Sequence, residues 1–274
     1  HTSFNQLVTT TGRLSSKEPN LQNIPVRDEL GKEIRRFFIP RDKEHILVGA
    51  DYSQIELRLL AHFSGCEALI RAYNEQADIH TETAATVFGV PRGEVTPQMR
   101  RSAKAVNFGI IYGISEFGLA KNLKIPAAKA REYIRTYFEK YPEVKAYMDK
   151  NVEFAKEHGY VSTLLGRKRY IRELKSSNYN QRMFGERAAM NMPLQGSSAD
   201  IIKVAMVNVH NRLKEGGYKS RLILQVHDEL IIDCLKSERA AVEKLLVREM
   251  EGAASLRVPL TVELEAGETW YDAK

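Results

Sequence analysis

Four residues at steps of four, Arg100, Lys104, Phe108 and Tyr112, present two cations followed by two aromatic rings. An α-helix turns about 100° per residue, so each step of four drifts only about 40° and the four side chains share one face over about 18 Å. A nucleoside triphosphate has that order of needs, with charge partners at one end and a flat stacking surface at the other. Lys104 is suited to neutralise a leaving pyrophosphate and to donate a proton to it. Arg100, at the helix start, is suited to clamp a terminal phosphate bidentately, aided by the positive end of the helix dipole. Spacing alone also describes a plainer alternative, a helix with two solvated cations and two core aromatics.

The acidic counterpart is split along the chain. Asp51 closes an apolar run and is followed by Tyr52-Ser-Gln-Ile-Glu56, while Asp228-Glu229 sits between two further apolar runs. Only the fold can unite them, and strand ends of one sheet would do so. Two aspartates converging there would hold Mg²⁺, a hard ion that takes one or two carboxylates plus substrate phosphate. A pair of such ions about 3.5–4 Å apart serves in-line displacement at phosphorus. An Asp at a turn and a solvated acidic tip remain the alternatives. No GxxxxGK[ST] and no GxGxxG occurs, so triphosphate binding has to rest on side chains of a helix.

Other polar residues stand in otherwise structural stretches: Arg13 after Gly12, Gln195 in Asn191-Met-Pro-Leu-Gln-Gly196, and His227 before the acids. Each reads as a turn or cap residue. Arg and Gln also read minor-groove acceptors, which are nearly alike for every base pair. The turn Gly166-Arg-Lys-Arg169 suits phosphate contacts or plain solvation.

Several elements must position these groups. Ile46 to Asp51 reads as a strand and Ile55 to His62 as a helix. Asp78 to Val87 is a helix, and Thr96 as N-cap with Pro97 at the first helical position starts the ladder helix, which stops at Gly113. Helices follow from Ile125 to Tyr141 and from Pro142 to His158, then a strand at Val161 to Leu165. Ser197 caps a helix to Glu215, with Asp200 as its capping-box partner. Arg221 to Val226 and Leu230 to Leu235 form a hairpin whose turn is His227-Asp228-Glu229. A helix from Ser237 to Glu251 and a strand near Leu260 to Glu265 close the chain, whereas the first forty residues are loop-rich.

The 274 residues suffice for one or two domains, and a net charge of +6 leans towards an anionic partner. Two cysteines, Cys66 and Cys234, with no CxxC, argue against a disulfide scaffold or a thiolate zinc site and fit a reducing compartment. No apolar run is long enough for a membrane span, so no membrane partner is expected, and no secretory signal opens the chain.

The motifs together resemble the polymerase region of family A DNA polymerases, the DNA polymerase I type. Asp51-Tyr-Ser-Gln-Ile-Glu-Leu-Arg58 is similar to its first catalytic motif, Arg100-Arg-Ser-Ala-Lys-Ala-Val-Asn-Phe-Gly-Ile-Ile-Tyr-Gly113 to its fingers-helix motif, and Gln225-Val-His-Asp-Glu229 to its last catalytic motif. Thr11-Gly-Arg-Leu-Ser15, Asn20-Leu-Gln-Asn-Ile-Pro25, Ile79-His-Thr-Glu-Thr83 and Asn191-Met-Pro-Leu-Gln-Gly196 also fit, in family order.

That resemblance implies an α+β fold, an antiparallel palm sheet with flanking helices (residues 1–62 and 178–274) carrying a large helical fingers insertion (63–177). It implies template-directed DNA synthesis from dNTPs on primer–template DNA, with two Mg²⁺ ions held by Asp51 and Asp228 and the Tyr52 carbonyl. Glu229 would be a nearby, less essential acid. Arg100, Lys104 and His80 would contact the triphosphate with Gln54 nearby, Phe108 the sugar and base, and Tyr112 the template position when the fingers are open. Glu56 would exclude a ribose hydroxyl. Arg13, Asn191, Gln195 and Arg187 would touch the primer–template, and His227 the primer end. The resemblance places the chain's start beyond the family's DNA-gripping thumb, so another part of a parent chain is expected to supply it. A bacterial source would put the protein in the cytoplasm, at the nucleoid. Two rivals stand beside this reading: a two-metal nuclease using the same carboxylates, and a non-catalytic DNA- or nucleotide-binding fragment.

Overall fold

The computed structural model describes residues 1–25 and 29–273, with the side chains of Glu29 and Leu30 left aside. In chain order the strands are β1 (Ser3–Asn5), β2 (Ser15–Lys17), β3 (His45–Tyr52), β4 (Tyr160–Ser162), β5 (Lys168–Tyr170), β6 (Arg221–Val226), β7 (Glu229–Leu235) and β8 (Val262–Gly267). The helices are α1 (Glu29–Ile34), α2 (Ile55–Ser64), α3 (Glu67–Asn74), α4 (Ile79–Phe88), α5 (Pro97–Ile111), α6 (Glu116–Leu123), α7 (Ala127–Lys140), α8 (Pro142–His158), α9 (Tyr179–Glu215) and α10 (Arg239–Glu251). The fold is of the expected mixed class, with antiparallel sheets and many helices. It divides into two compact units, one of His1–Ile55, Ser198–Ser255 and Leu260–Lys274, the other of Glu56–Ser197 and Leu256–Pro259.

The first unit is organised by a four-stranded antiparallel sheet in the order β6-β7-β3-β8. β3 lies inside the sheet, so its sequence is an almost unbroken apolar run. Side chains alternate along it, with Leu47, Gly49 and Asp51 on one face and Val48, Ala50 and Tyr52 on the other. The Tyr52 hydroxyl donates to the carbonyl of Met250 at 2.5 Å, which sets α10 against the second face. On the first face Leu47 and Ile231 pack with Leu21, Leu224, Val226, Trp270 and Ala273. Phe38 meets Trp270 edge-on with ring centroids 5.3 Å apart. Gly49 is required here, because a Cβ at that position would lie 2.6 Å from the carbonyl oxygen of Ala273.

The second unit is mostly helical. Leu57, Leu59, Leu60 and Ala61 of α2 are buried, as are Tyr133 and Tyr137 of α7 and Val144 and Met148 of α8. Burial pushes the Tyr137 and Tyr73 phenols up in pKa. The β4–β5 hairpin places Val161 beside Ile171, packed on Val152 and Ala155 of α8 and on Ala188, Ala189 and Met192 of α9. Among the described residues no helix is long and apolar enough to cross a membrane.

Most element boundaries lie within two or three residues of the sequence reading, and the exceptions have physical causes. Ser197 does not cap a helix: α9 runs unbroken from Tyr179, through Pro193, to Glu215. The proline removes one backbone donor, but Ala188, Ala189, Met192 and Leu194 are buried around it and hold the helix together. The Ser197 hydroxyl donates back to the Pro193 carbonyl at 2.5 Å and accepts from the Leu164 amide at 2.8 Å, pinning the hairpin loop. Asp200 accordingly lies inside a helix rather than in a capping box. Glu229 belongs to β7, not to the turn. The basic turn is shorter than expected, since Lys168 and Arg169 pair with Ser162 and Val161. Helix α6 is short and opened by Ser115, whose hydroxyl accepts from the Gly118 amide. Helix α1 interrupts the loop-rich first forty residues, of which 26–28 lie outside the described residues.

Candidate active site

In the first unit the sheet brings the two aspartates to one end. Asp51 is opposite Glu229 across β3 and β7 and opposite Glu263 across β3 and β8, so three carboxylates form a row. Asp228 follows in the two-residue turn between β6 and β7, where His227 adopts a left-handed backbone with φ of 53°. Histidine is among the residues that tolerate this region better than most. The Tyr52 amide donates to the Asp228 carbonyl at 3.1 Å, clipping the turn to the end of β3. The buried side chain of Gln225 donates to the His227 carbonyl and accepts from Gln22 at 3.3 Å, which braces the turn from behind.

Side-chain positions are set as well. The buried Ser198 hydroxyl donates to Asp228 Oδ1 at 2.8 Å. Glu229 is only 2% exposed, so it is no solvated tip. With Gly49, Asp51, Glu263, Glu265 and Ala273 it lines a cleft of about 110 Å³. Like charges side by side on a sheet repel, and Arg35 supplies the counter-charge. Its guanidinium is buried, lies 4.3 Å from the centre of the Trp270 ring, and feels the carboxylates of Glu229 and Asp51. Burial lowers the Arg35 pKa, and those two charges work against that lowering. Burial raises the Tyr52 phenol, with Asp228 and Glu251 adding to the shift.

Asp51 and Asp228 offer hard carboxylate oxygens, the donor type that magnesium prefers. Among the described residues no group of three or more His, Cys, Asp or Glu side chains could by itself hold an ion. A pair of carboxylates with substrate oxygens completing the shell fits that donor set. Elsewhere in this unit, Gln54 is half-buried with φ of 54° in the turn from β3 to α2, His227 is exposed, and Arg13 is half-buried after the left-handed Gly12.

In the second unit α5 starts as its sequence dictates: the Thr96 hydroxyl accepts from the Met99 amide at 3.2 Å and Pro97 takes the first helical position. Arg100 and Lys104 are exposed and Phe108 is half-buried. Tyr112 is 39% exposed, so neither ring of the ladder is a fully buried core residue. Tyr112 stands one residue past the regular helix, as its C-cap. Its hydroxyl donates to Glu56 Oε2 at 2.8 Å, and Glu56 is 5% exposed. Gly113 ends the helix with φ of 62°, and a Cβ there would meet Arg187 and Met190 at 3.0 and 3.2 Å.

His80 lies beside the ladder, 2% exposed, with its ring centroid 6.0 Å from that of Phe108. Burial brings its pKa down to about 4; Asp78 opposes this, and Lys104 and Arg100 reinforce it. The Asn107 amide faces His80 Nδ1 at 2.9 Å while its oxygen accepts from Thr83 at 3.0 Å. That arrangement leaves the ring proton on Nε2, so His80 is a neutral donor rather than a third cation. Arg187, Asn191 and Gln195, spaced by four on α9, repeat the ladder geometry with polar side chains, all half-buried. Arg187 also lines a cleft of about 210 Å³ with Ile110, Gly113 and Met190.

The family model for DNA polymerase family A matches residues 1–272. The chain belongs to DNA polymerase family A. It is 55% identical over its whole length to DNA polymerase I of Caldicellulosiruptor bescii and 56% identical to that of Bacillus subtilis. It covers 32% and 31% of those proteins, so it spans about a third of the curated relatives it matches. Among solved structures it is similar to the POL domain of Pol1 from M. smegmatis in complex with DNA primer-template and dNTP. The TM-score is 0.96 at 47% identity, covering the whole of this chain and 48% of that one.

Within this family A chain, three residues of the described geometry escaped the sequence reading. Ser198 lay hidden because a helix start was expected beside it. Arg35 gave no signal, standing in a stretch with no period. Asp78 was read only as the start of a helix, yet it caps α4 and pairs with Arg100.

Proposed function

We propose that this chain carries the nucleotidyl-transfer centre of a template-directed DNA polymerase of the replication and repair type. The observation that carries the reading is the β3–β7 register, which faces Asp51 with Glu229, together with the Tyr52–Asp228 hydrogen bond that clips the second aspartate to the same strand end. In this reading residues 1–62 and 178–274 are the palm and residues 63–177 the fingers.

Asp51 and Asp228, with the Tyr52 carbonyl, would hold two Mg²⁺ ions, with Glu229 as a nearby, less essential acid. When bound, the ions activate the attacking oxygen and neutralise charge on the leaving group. The primer 3′-oxygen forms a bond to the α-phosphorus of a dNTP as the bond to pyrophosphate breaks. Lys104 and Arg100 take the phosphates, and His80 adds a neutral N–H donor, with Gln54 nearby. Phosphoryl transfer depends chiefly on such positioning and charge stabilisation. Phe108 lies against the sugar and base, and Tyr112 occupies the template position when the fingers are open. Glu56, held by the Tyr112 hydroxyl, crowds the sugar C2′, where a desolvated and unpaired hydroxyl is rejected. Arg13, Arg187, Asn191 and Gln195 read primer–template DNA without base preference, and His227 meets the primer end.

The test is primer extension by the purified chain with Mg²⁺ and template-matched dNTPs. Extension that follows the template supports the reading. Primer shortening that ignores dNTPs, or DNA binding with no extension by the chain alone or joined to the further segments its relatives carry, overturns it.

A further inference from the structure

The ladder's outermost cation already has a partner. Arg100 donates from Nε to Asp78 Oδ2 at 2.5 Å and from Nη2 to Oδ1 at 3.2 Å, a bidentate fork. Asp78 is fixed independently: Oδ1 accepts from the His80 amide at 3.1 Å as the cap of α4, and Oδ2 accepts from the Thr81 hydroxyl at 2.6 Å. The carboxylate is therefore held from three sides, whereas the arginine is a long side chain, 45% exposed. Partial burial disfavours the Asp78 charge, yet Arg100, Thr81 and the His80 amide outweigh it and bring its pKa down to about 2. The pair is thus charged at every physiological pH.

Arginine recognises a phosphate through paired N–H groups of this kind, and the Nε–Nη2 pair is taken by Asp78. Nε and Nη2 cannot point at Asp78 and at a phosphate elsewhere at once. We propose that Asp78 is an exchangeable partner that the terminal phosphate of an incoming nucleotide displaces from Arg100, so that Asp78 sets how tightly this helix face takes a triphosphate. This rests on the reading of α5 as the triphosphate face. Arg100 stands about 6 Å along the helix beyond Lys104, on the side away from Phe108. A diphosphate that puts its base at Phe108 and its phosphates at Lys104 leaves the Asp78–Arg100 pair intact. A triphosphate breaks the pair and gains the arginine. Both side chains are more than a third exposed, so the pair is weak and is readily exchanged.

The experiment is calorimetric titration of dATP and of dADP, each with Mg²⁺, into the wild-type chain, Asp78→Asn, Arg100→Ala, the double variant and Lys104→Ala. Asparagine caps a helix as well as aspartate does, and Asp78→Ser is a second cap-preserving variant. The expected result is dATP binding about two- to five-fold tighter in Asp78→Asn, unchanged dADP binding, and no effect of Asp78→Asn in the Arg100→Ala background. The inference is overturned if dATP affinity is unchanged or weaker, if dADP shifts by the same factor, or if the gain persists without Arg100. The reading beneath it is judged separately. Loss of dATP binding in Lys104→Ala with no response to Asp78→Asn sinks the exchange alone, whereas dATP binding indifferent to both Lys104 and Arg100 sinks both.

Discussion

The acidic end of the sheet and the exposed face of α5 are built on opposite plans. At the sheet, position is set by backbone: Asp51 by the β3–β7 and β3–β8 registers, Asp228 by a main-chain bond to Tyr52. The surrounding side chains are buried and held, as Ser198, Glu229 and Arg35 are. On α5 the helix fixes only the spacing, and the polar ends of Arg100 and Tyr112 are held by side-chain partners, Asp78 and Glu56. In the proposed reading, groups that must sit still lie on the sheet and groups that must change partner lie on a helix surface. Substitutions at the carboxylates of the sheet are therefore expected to act in large steps, and those on the helix face by degrees.

The sharpest way to break this contrast is Asp51→Ala or Asp228→Ala. Extension should fall by about a thousandfold or more with circular dichroism and melting unchanged; near-normal turnover in either variant would contradict the metal assignment. Lys104→Ala should be graded, raising the dNTP requirement by on the order of tenfold to a hundredfold as a charged hydrogen bond is lost. Duplex affinity should be nearly unaffected, and equal losses in both measurements would count against a phosphate role. Ser198→Ala tests how much of the sheet site's rigidity comes from one buried hydroxyl. About a tenfold loss of turnover, accompanied by a higher Mg²⁺ requirement, is expected for an outer partner of a ligand; an unchanged Mg²⁺ titration would show that the backbone alone suffices.

The smallest effect concerns His80. Its pKa falls from 6.5 in the unfolded chain to about 4 in the fold, so the folded chain binds fewer protons between those values. Stability should be complete above pH 6.5 and decline as pH drops towards 4. Melting curves across that window should show the decline in the wild type and a flatter profile in His80→Gln, and parallel profiles would remove His80 as the cause.

Much of this arrangement was readable from the chain. The apolar run ending at Asp51, the Thr96-Pro97 start and the Pro142 to Gly159 helix follow from local chemistry, and their boundaries fall where caps and prolines put them. The convergence of Asp51 and Asp228 is a matter of strand register, which no local pattern encodes. Arg35 is a buried arginine whose role depends on a tryptophan and two acids from distant segments. The Arg187–Asn191–Gln195 ladder obeyed the same rule of four as the α5 ladder. Placing a helix start at Ser197 concealed it, because a proline inside a helix looks like an end when the packing around it is unseen.

One bond has a consequence for how the molecule fails. The Tyr52 amide that donates to Asp228 belongs to a residue whose phenol is buried and bonded to the Met250 carbonyl of α10. The geometry of the acidic end is therefore tied to the core of its unit, and the two are expected to melt together. On heating, the Tyr52 amide proton should exchange with solvent only when the whole unit opens, as slowly as amides in the centre of β3. Thermal inactivation that runs ahead of that exchange would then originate on the helix face, whose side chains can let go while the sheet still stands.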